Sequence, residues 1–258
     1  MLKENSNNQK KSLSIHYFKK GFSFCTTNSV DFFSHPGDMS EFEYTFRKFL
    51  EKNYHENFEY FSIIFFQNPS TLVPYIFFDN QRLDDYLNLY FKKPKAEIVI
   101  FDKLINQERI NIYSVPKKIY NIIDKLDIDF NIFHYNSLLI KRVLNLSSTK
   151  KFSKQLFIHL HFNAMDIFLV KNKSLLFNNR FIIKKQNDFM YYLFFVIEQF
   201  ELGPHQFEIV FLGRIDAFES YYEIVKHYHS NITFTNEEPS INLKFLKHHA
   251  PYLSPYFY

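Results

Sequence analysis

Leu156–Phe162 reads LFIHLHF and, after a break at Asn163-Ala164, Met165–Val170 reads MDIFLV. Two extended apolar stretches joined by a short break are a hairpin, and Lys171-Asn172-Lys173 turns the chain into a third stretch, Ser174–Ile183. The same figure stands near the start. Leu13, Ile15 and Tyr17 alternate with Ser14 and His16, Lys19-Lys20-Gly21 interrupts, and Phe22–Thr26 resumes in extended style. Thr27-Asn28-Ser29 then leads into Val30–Ser34. Ile15-His16 and Ile158-His159 stand 143 residues apart, and the turn, second strand and third strand keep that offset without a gap. Identity is almost nil, so the match lies in pattern and order. Two unrelated meanders would also give it, but we read an internal duplication.

The elements that follow repeat the order. Ser40-Glu41-Phe42-Glu43 is a capping box, and Phe42, Phe46, Phe49, Leu50 and Tyr54 follow at helical spacing before a buried strand, Phe61–Phe66. In the second half, Asp188 or Asn187 caps a helix that runs through Phe200 and stops at Gly203-Pro204. Phe207–Leu212 is again a buried strand. Between the halves the pattern predicts a helix over Asn80–Phe91, a strand pair at Glu97–Asp102 and Arg109–Val115, and a helix opened by Pro116. A strand at Phe130–His134 and a helix at Ser137–Leu144 complete the first half. The polar run Ser147–Lys151 is the linker, so the halves are 12–146 and 153–258. Asp216-Ala217-Phe218-Glu219 caps a further helix, Ile232–Thr235 is a short strand, and Ile241–Tyr258 is an aromatic tail.

Composition narrows the function classes. With 258 residues, 34 Phe and 18 Tyr, the chain can bury a large core and is not a disordered protein. Only four glycines are present, Gly21, Gly37, Gly203 and Gly213, too far apart for a dinucleotide fingerprint or a Walker A loop. The single cysteine, Cys25, can form no internal disulfide, which suits a reducing compartment and predicts a cytoplasmic protein. Met1–Lys11 is polar with no signal-peptide core, and the densest apolar run, Phe189–Ile197, is only nine residues long, so no membrane span is expected.

Two halves of β-β-β-α-β-α-β order resemble the duplicated ribonuclease H-like fold of the actin and Hsp70 superfamily, an α/β fold with two mixed sheets, flanking helices and a cleft between lobes. More closely, the chain resembles an uncharacterised bacterial domain-of-unknown-function family assigned to that fold, distantly similar to actin-like pilus-assembly proteins. The residues that carry this are Leu13-Ser14-Ile15 with Gly21-Phe22-Ser23-Phe24, Thr71-Leu72-Val73-Pro74, Asn111-Ile112-Tyr113-Ser114-Val115-Pro116 and Asp188-Phe189-Met190-Tyr191-Tyr192. The resemblance implies that an active member would carry Asp-x-Gly in the first hairpin of each half, its turn amides on phosphate and its carboxylate in a metal shell. The residues two before the four glycines are Lys19, His35, Glu201 and Phe211, so the motif is absent. ATP with Mg²⁺ is therefore disfavoured as a cofactor, and no catalytic residue is assigned.

Weaker anion or nucleotide candidates remain. Lys19, Lys20 and Gly21 form the first hairpin tip, and Gly213-Arg214 leads from a strand into a helix, where Asp216 as cap opposes an anion. His159 and His161 share a strand face, but no Asp, Glu or Cys stands at close sequence spacing, so they read as surface and no metal is assigned. The apolar helix from Phe189 and the tail Tyr252–Tyr258 call for burial within the chain or a protein partner. The reading is a non-catalytic interaction or scaffolding protein with an unknown protein partner. Alternatives are an RNA- or ribosome-associated protein, for which the net charge of +4 leaves nucleic acid as a partner class, and an ATP-binding member of the superfamily.

Overall fold

The computed structural model describes residues 12–18, 21–26, 29–34, 40–53, 57–92, 94–104, 108–126, 128–148, 151–161, 163–213 and 218–235. It divides into two compact units, with the division between Ser137 and Leu138.

In the first unit, β1 (Ser12–Phe18), β2 (Gly21–Cys25) and β3 (Val30–Ser34) form the expected antiparallel meander. Helix α1 (Ser40–Lys52) carries the chain to β4 (Tyr60–Phe65), which pairs parallel with β1. Strand β8 (Phe130–His134) pairs parallel with β4, giving the sheet order β3-β2-β1-β4-β8. Alternation decides which side chains meet the helices. Leu13, Ile15 and Tyr17 of β1 share one core with Phe22, Phe24, Ile63 and Phe65 and with Phe42, Phe46 and Phe49 of α1. The outer side of α1 carries a Glu43–Arg47 ion pair at 2.9 Å, the i,i+4 arrangement of a solvated face.

Three more strands lie between β4 and β8. These are β5 (Ser70–Pro74), β6 (Glu97–Leu104) and β7 (Arg109–Pro116), arranged antiparallel as β5-β7-β6. Strand β5 was not expected from the sequence, because it is short and ends on a proline. The helix expected over Asn80–Phe91 is also shorter: the Asp79 carboxylate accepts Gln81 N–H at 2.9 Å and starts a 3₁₀ turn, Asn80–Arg82, so α2 covers only Leu83–Asn88. Helix α3 (Lys117–Asp124) follows β7 directly, and α4 (Tyr135–Leu146) begins where β8 ends.

The second unit repeats the five-stranded pattern. Strands β9 (Lys154–His161), β10 (Ala164–Lys171), β11 (Ser174–Ile182), β12 (Phe207–Leu212) and β13 (Ile232–Phe234) are ordered β11-β10-β9-β12-β13. Pairings are antiparallel for β9–β10–β11 and parallel for β9–β12–β13, as in the first unit. The turn between β10 and β11 places Asn172 and Lys173 at φ 49° and 64°, the two positive angles of a type I′ hairpin. Helices α5 (Gln186–Gln199) and α6 (Glu219–Lys226) cover one face through Phe189, Leu193, Val196, Tyr222 and Val225. Neither Asp188 nor Asn187 is the N-cap of α5. Lys185 holds that position, and Asp188 reaches back to accept Lys184 N–H at 2.9 Å and Lys185 N–H at 3.3 Å. Burial of α5 is one-sided, with Tyr191 and Phe195 exposed. No described helix is long and apolar enough to cross a membrane.

Candidate functional site

The helix-covered face of each sheet is apolar, whereas the opposite face is buried and partly polar. On β9 the opposite face carries Gln155, Phe157, His159 and His161, because Leu156, Ile158 and Leu160 point into the core. The β9–β10 register sets His159 directly across from Asp166, with two residues left to turn the chain between His161 and Ala164. His159 and Asp166 are each only 1% exposed. They are not surface residues, contrary to the expectation for a two-histidine strand, because this sheet is covered on both sides.

Asp166 is the centre of the site. Its Oδ2 lies 2.9 Å from His161 Nε2 and 3.3 Å from His159 Nδ1, and a carboxylate accepts only, so both ring nitrogens donate. Its Oδ1 accepts Nε–H of Arg180 on β11 at 2.8 Å. Burial alone would raise the Asp166 carboxyl, but the positive potential of His161 and the two imidazole hydrogen bonds outweigh it and hold it below its ordinary range. Burial lowers His159, whose hydrogen bond to Asp166 offsets only part of the effect, so that ring is neutral near pH 7. Arg180 is lowered by burial to about 10 and stays cationic. A second acid on this face, Glu208, is engaged by Gln155 Nε2 at 2.9 Å.

The first unit carries the same position with different chemistry. The 143-residue offset aligns His16 with His159 and Ser23 with Asp166, and His16 pairs with Ser23 across its hairpin just as His159 pairs with Asp166. Around them Cys25 Sγ is 3.6 Å from His16 Nδ1, and Ser62 Oγ donates to Ser14 Oγ at 3.0 Å. Burial pushes the Cys25 thiol far above its usual range, which leaves it unreactive. The described part of this hairpin presents no carboxylate.

Of the anion candidates, Lys19, Lys20 and Arg214 lie outside the described residues, as does the tail Tyr252–Tyr258. Gly21 begins β2, where a Cβ would stand 2.4 Å from Phe33 O, so the close approach of β3 explains the glycine without a ligand. Gly213 follows β12 directly at φ 97°, a backbone angle that glycine alone takes readily. Gly21 and Gly213 belong to different units. Sequence reasoning missed Asp166 and Arg180, since both reach the histidines only through strand pairing.

A second polar cluster lies within the first unit. Asp102 of β6 accepts Tyr113 O–H at 2.9 Å and His134 backbone N–H at 2.8 Å, with a further bond from Ser137. Ser137 Oγ also accepts from Asn111 Nδ2 at 2.8 Å. Burial raises Asp102 to about 6 against these hydrogen bonds.

Comparison with solved structures agrees with this architecture. A protein of unknown function with an actin-like ATPase fold from Bacteroides thetaiotaomicron is similar at TM-score 0.73 and 20% identity, covering 94% of this chain and 96% of its own. The PilM–PilN type IV pilus biogenesis complex matches at TM-score 0.53 and 8% identity, over 94% and 95% of the two chains. No curated protein matches the chain. The fold is the actin-like ATPase fold, as the duplicated β-β-β-α-β order implied. The model of a family described as protein of unknown function, DUF3822, matches residues 3–232, and the chain belongs to that family.

Proposed function

We propose that the protein is a non-catalytic member of the actin-like fold that acts by binding another protein. The observation that carries this reading is the state of Asp166. The hairpin that holds it is the one where an active relative would need a free carboxylate for the metal of a nucleotide, and here both carboxylate oxygens are taken by Arg180, His159 and His161. Mg²⁺ prefers oxygen ligands and bound water, and a site lined by two imidazoles and a guanidinium opposes it. The equivalent position in the first unit is Ser23.

An exposed apolar feature supports the binding role. Tyr75, Ile76 and Phe77 form a 3₁₀ turn after β5, and all three are exposed, Ile76 by 84%. The turn is held from both sides, by Tyr75 N–H to Glu108 O at 2.7 Å, by Tyr86 O–H to Phe77 O, and by Phe78 packed on Phe101 at 4.9 Å. A fixed run of three exposed apolar residues serves no purpose in the fold itself and is characteristic of contact surfaces.

Calorimetry of the intact protein with Mg·ATP tests the first part, and no saturable heat and no turnover are expected. Micromolar binding with turnover that a Gly213→Val change abolishes would establish the enzyme reading instead. For the second part, Ile76→Asp should leave the melting temperature unchanged while abolishing recovery of a stoichiometric partner retained by the unaltered chain. Recovery that is equal for both proteins would remove this turn from the account.

A further inference from the structure

The strand register that buries Asp166 also gathers a set of metal donors that neither the family nor the fold assigns. We infer that His159 Nδ1, His161 Nε2 and Asp166 Oδ2 form a binding site for a transition-metal dication of the zinc type. The three donor atoms lie within 4.8 Å of one another. Two of the separations, 3.3 Å and 2.9 Å, are close to the roughly 3.4 Å between donors around a tetrahedral ion with bonds of about 2.0–2.1 Å. The third separation, between the two imidazole nitrogens, lies within 4.8 Å and narrows when the rings close on the ion.

The strands and Arg180 hold the donors in place. Each ligand sits on a central strand of the sheet rather than on a loop, so the site is held by the β9–β10 ladder. Arg180 binds Oδ1, an outer-shell contact that orients a ligating carboxylate, so the ion would replace the two imidazole hydrogen bonds at Oδ2 and take that single oxygen. The His161 side chain is 26% exposed while that of Asp166 is 2% exposed, which gives an ion a way in. Imidazole nitrogen favours Zn²⁺, Cu²⁺, Ni²⁺ or Co²⁺ over Mg²⁺ and Ca²⁺. Coordination needs each imidazole to present a lone pair at the donor nitrogen and to carry its proton on the other ring nitrogen. The site would be structural, tying the first two strands of the second sheet together, and it does not depend on the binding role proposed above.

The test uses the full chain stripped with chelator and titrated with Zn²⁺ by calorimetry, with metal content measured after gel filtration. About one equivalent should remain bound. His161→Gln should weaken the affinity by more than about tenfold, while changing His248 and His249 together to Gln should not. His161 is partly exposed, so the variant should fold, and its metal-free melting curve verifies this. As an independent readout, Zn²⁺ should move the ring nitrogen resonances of His159 and His161 in the unaltered protein, and Co²⁺ should give the visible absorption of a tetrahedral site. Failure to retain zinc, an affinity indifferent to His161→Gln, or resonance shifts confined to other histidines would each overturn the assignment and leave a hydrogen-bonded cluster only.

Discussion

Asp102 makes the folding of the first unit pH-dependent in a direction opposite to that of most carboxylates. Its folded value is about 6 against an ordinary 3.8, because burial outweighs the hydrogen bonds from Ser137, His134 and Tyr113. The folded state therefore holds the proton more tightly than the unfolded chain. Ionised Asp102 costs about 3 kcal/mol above pH 7, a cost that fades as the pH falls through 6 toward 3.8. Between pH 7.5 and pH 5 the unit should recover about 1.4 kcal/mol from this group alone. Asp102→Asn removes the titration and keeps the bonding, since the amide oxygen can accept His134 N–H while the amide nitrogen donates to a rotated Tyr113 hydroxyl. Denaturant unfolding of both proteins at the two pH values reads the difference. The gap in stability should change by about 1.4 kcal/mol in favour of the unaltered protein on acidification. An unchanged gap, or a carboxyl carbon resonance that titrates below pH 4.5, would refute the reasoning.

Other perturbations have equally definite outcomes. Gly21→Ala puts a methyl group 2.4 Å from Phe33 O and should lower the stability of the first unit by about 2 kcal/mol or more in denaturant melts. Arg180→Met leaves the Asp166 carboxylate buried without its cation and should cost about 3 kcal/mol, measured in the same way. On α5, Leu193→Ala empties a core position and should cost about 2–5 kcal/mol. Tyr191→Ala on the exposed side should stay within about 0.5 kcal/mol.

The order of elements was legible because alternation and turn residues are local signals. Leu13, Ile15 and Tyr17 against Ser14 and His16 already declare a strand, and the offset to Ile158-His159 declares its repeat. Both are visible in the sheets as identical strand orders. What sequence did not show depends on contacts across strands. The sequence puts the break at Asn163-Ala164, whereas Ala164 already pairs with His161, one residue earlier. Either register sets Asp166 opposite one of the two histidines, so counting back from the turn would have found the cluster; spacing along the chain could not. Arg180 required the β10–β11 pairing as well. Helix α5 misled for a different reason. A stretch apolar on every side has no period to assign, and the structure buries Phe189, Leu193 and Val196 while exposing Tyr191 and Phe195. The Tyr75–Phe77 turn follows a strand that ends on Pro74, and its exposure comes from an anchor to Glu108, far along the chain.

The central claim is that the second-unit hairpin, with Asp166 satisfied inside the sheet, is closed to a magnesium nucleotide. The most direct measurement follows the ring nitrogen resonances of His159 and His161 and the carboxyl carbon of Asp166 while Mg·ATP is added to the intact protein at millimolar concentration. These signals should stay where they are, because every group they report is held by the others. Saturable shifts at Asp166 and both histidines, accompanied by release of inorganic phosphate, would contradict the account.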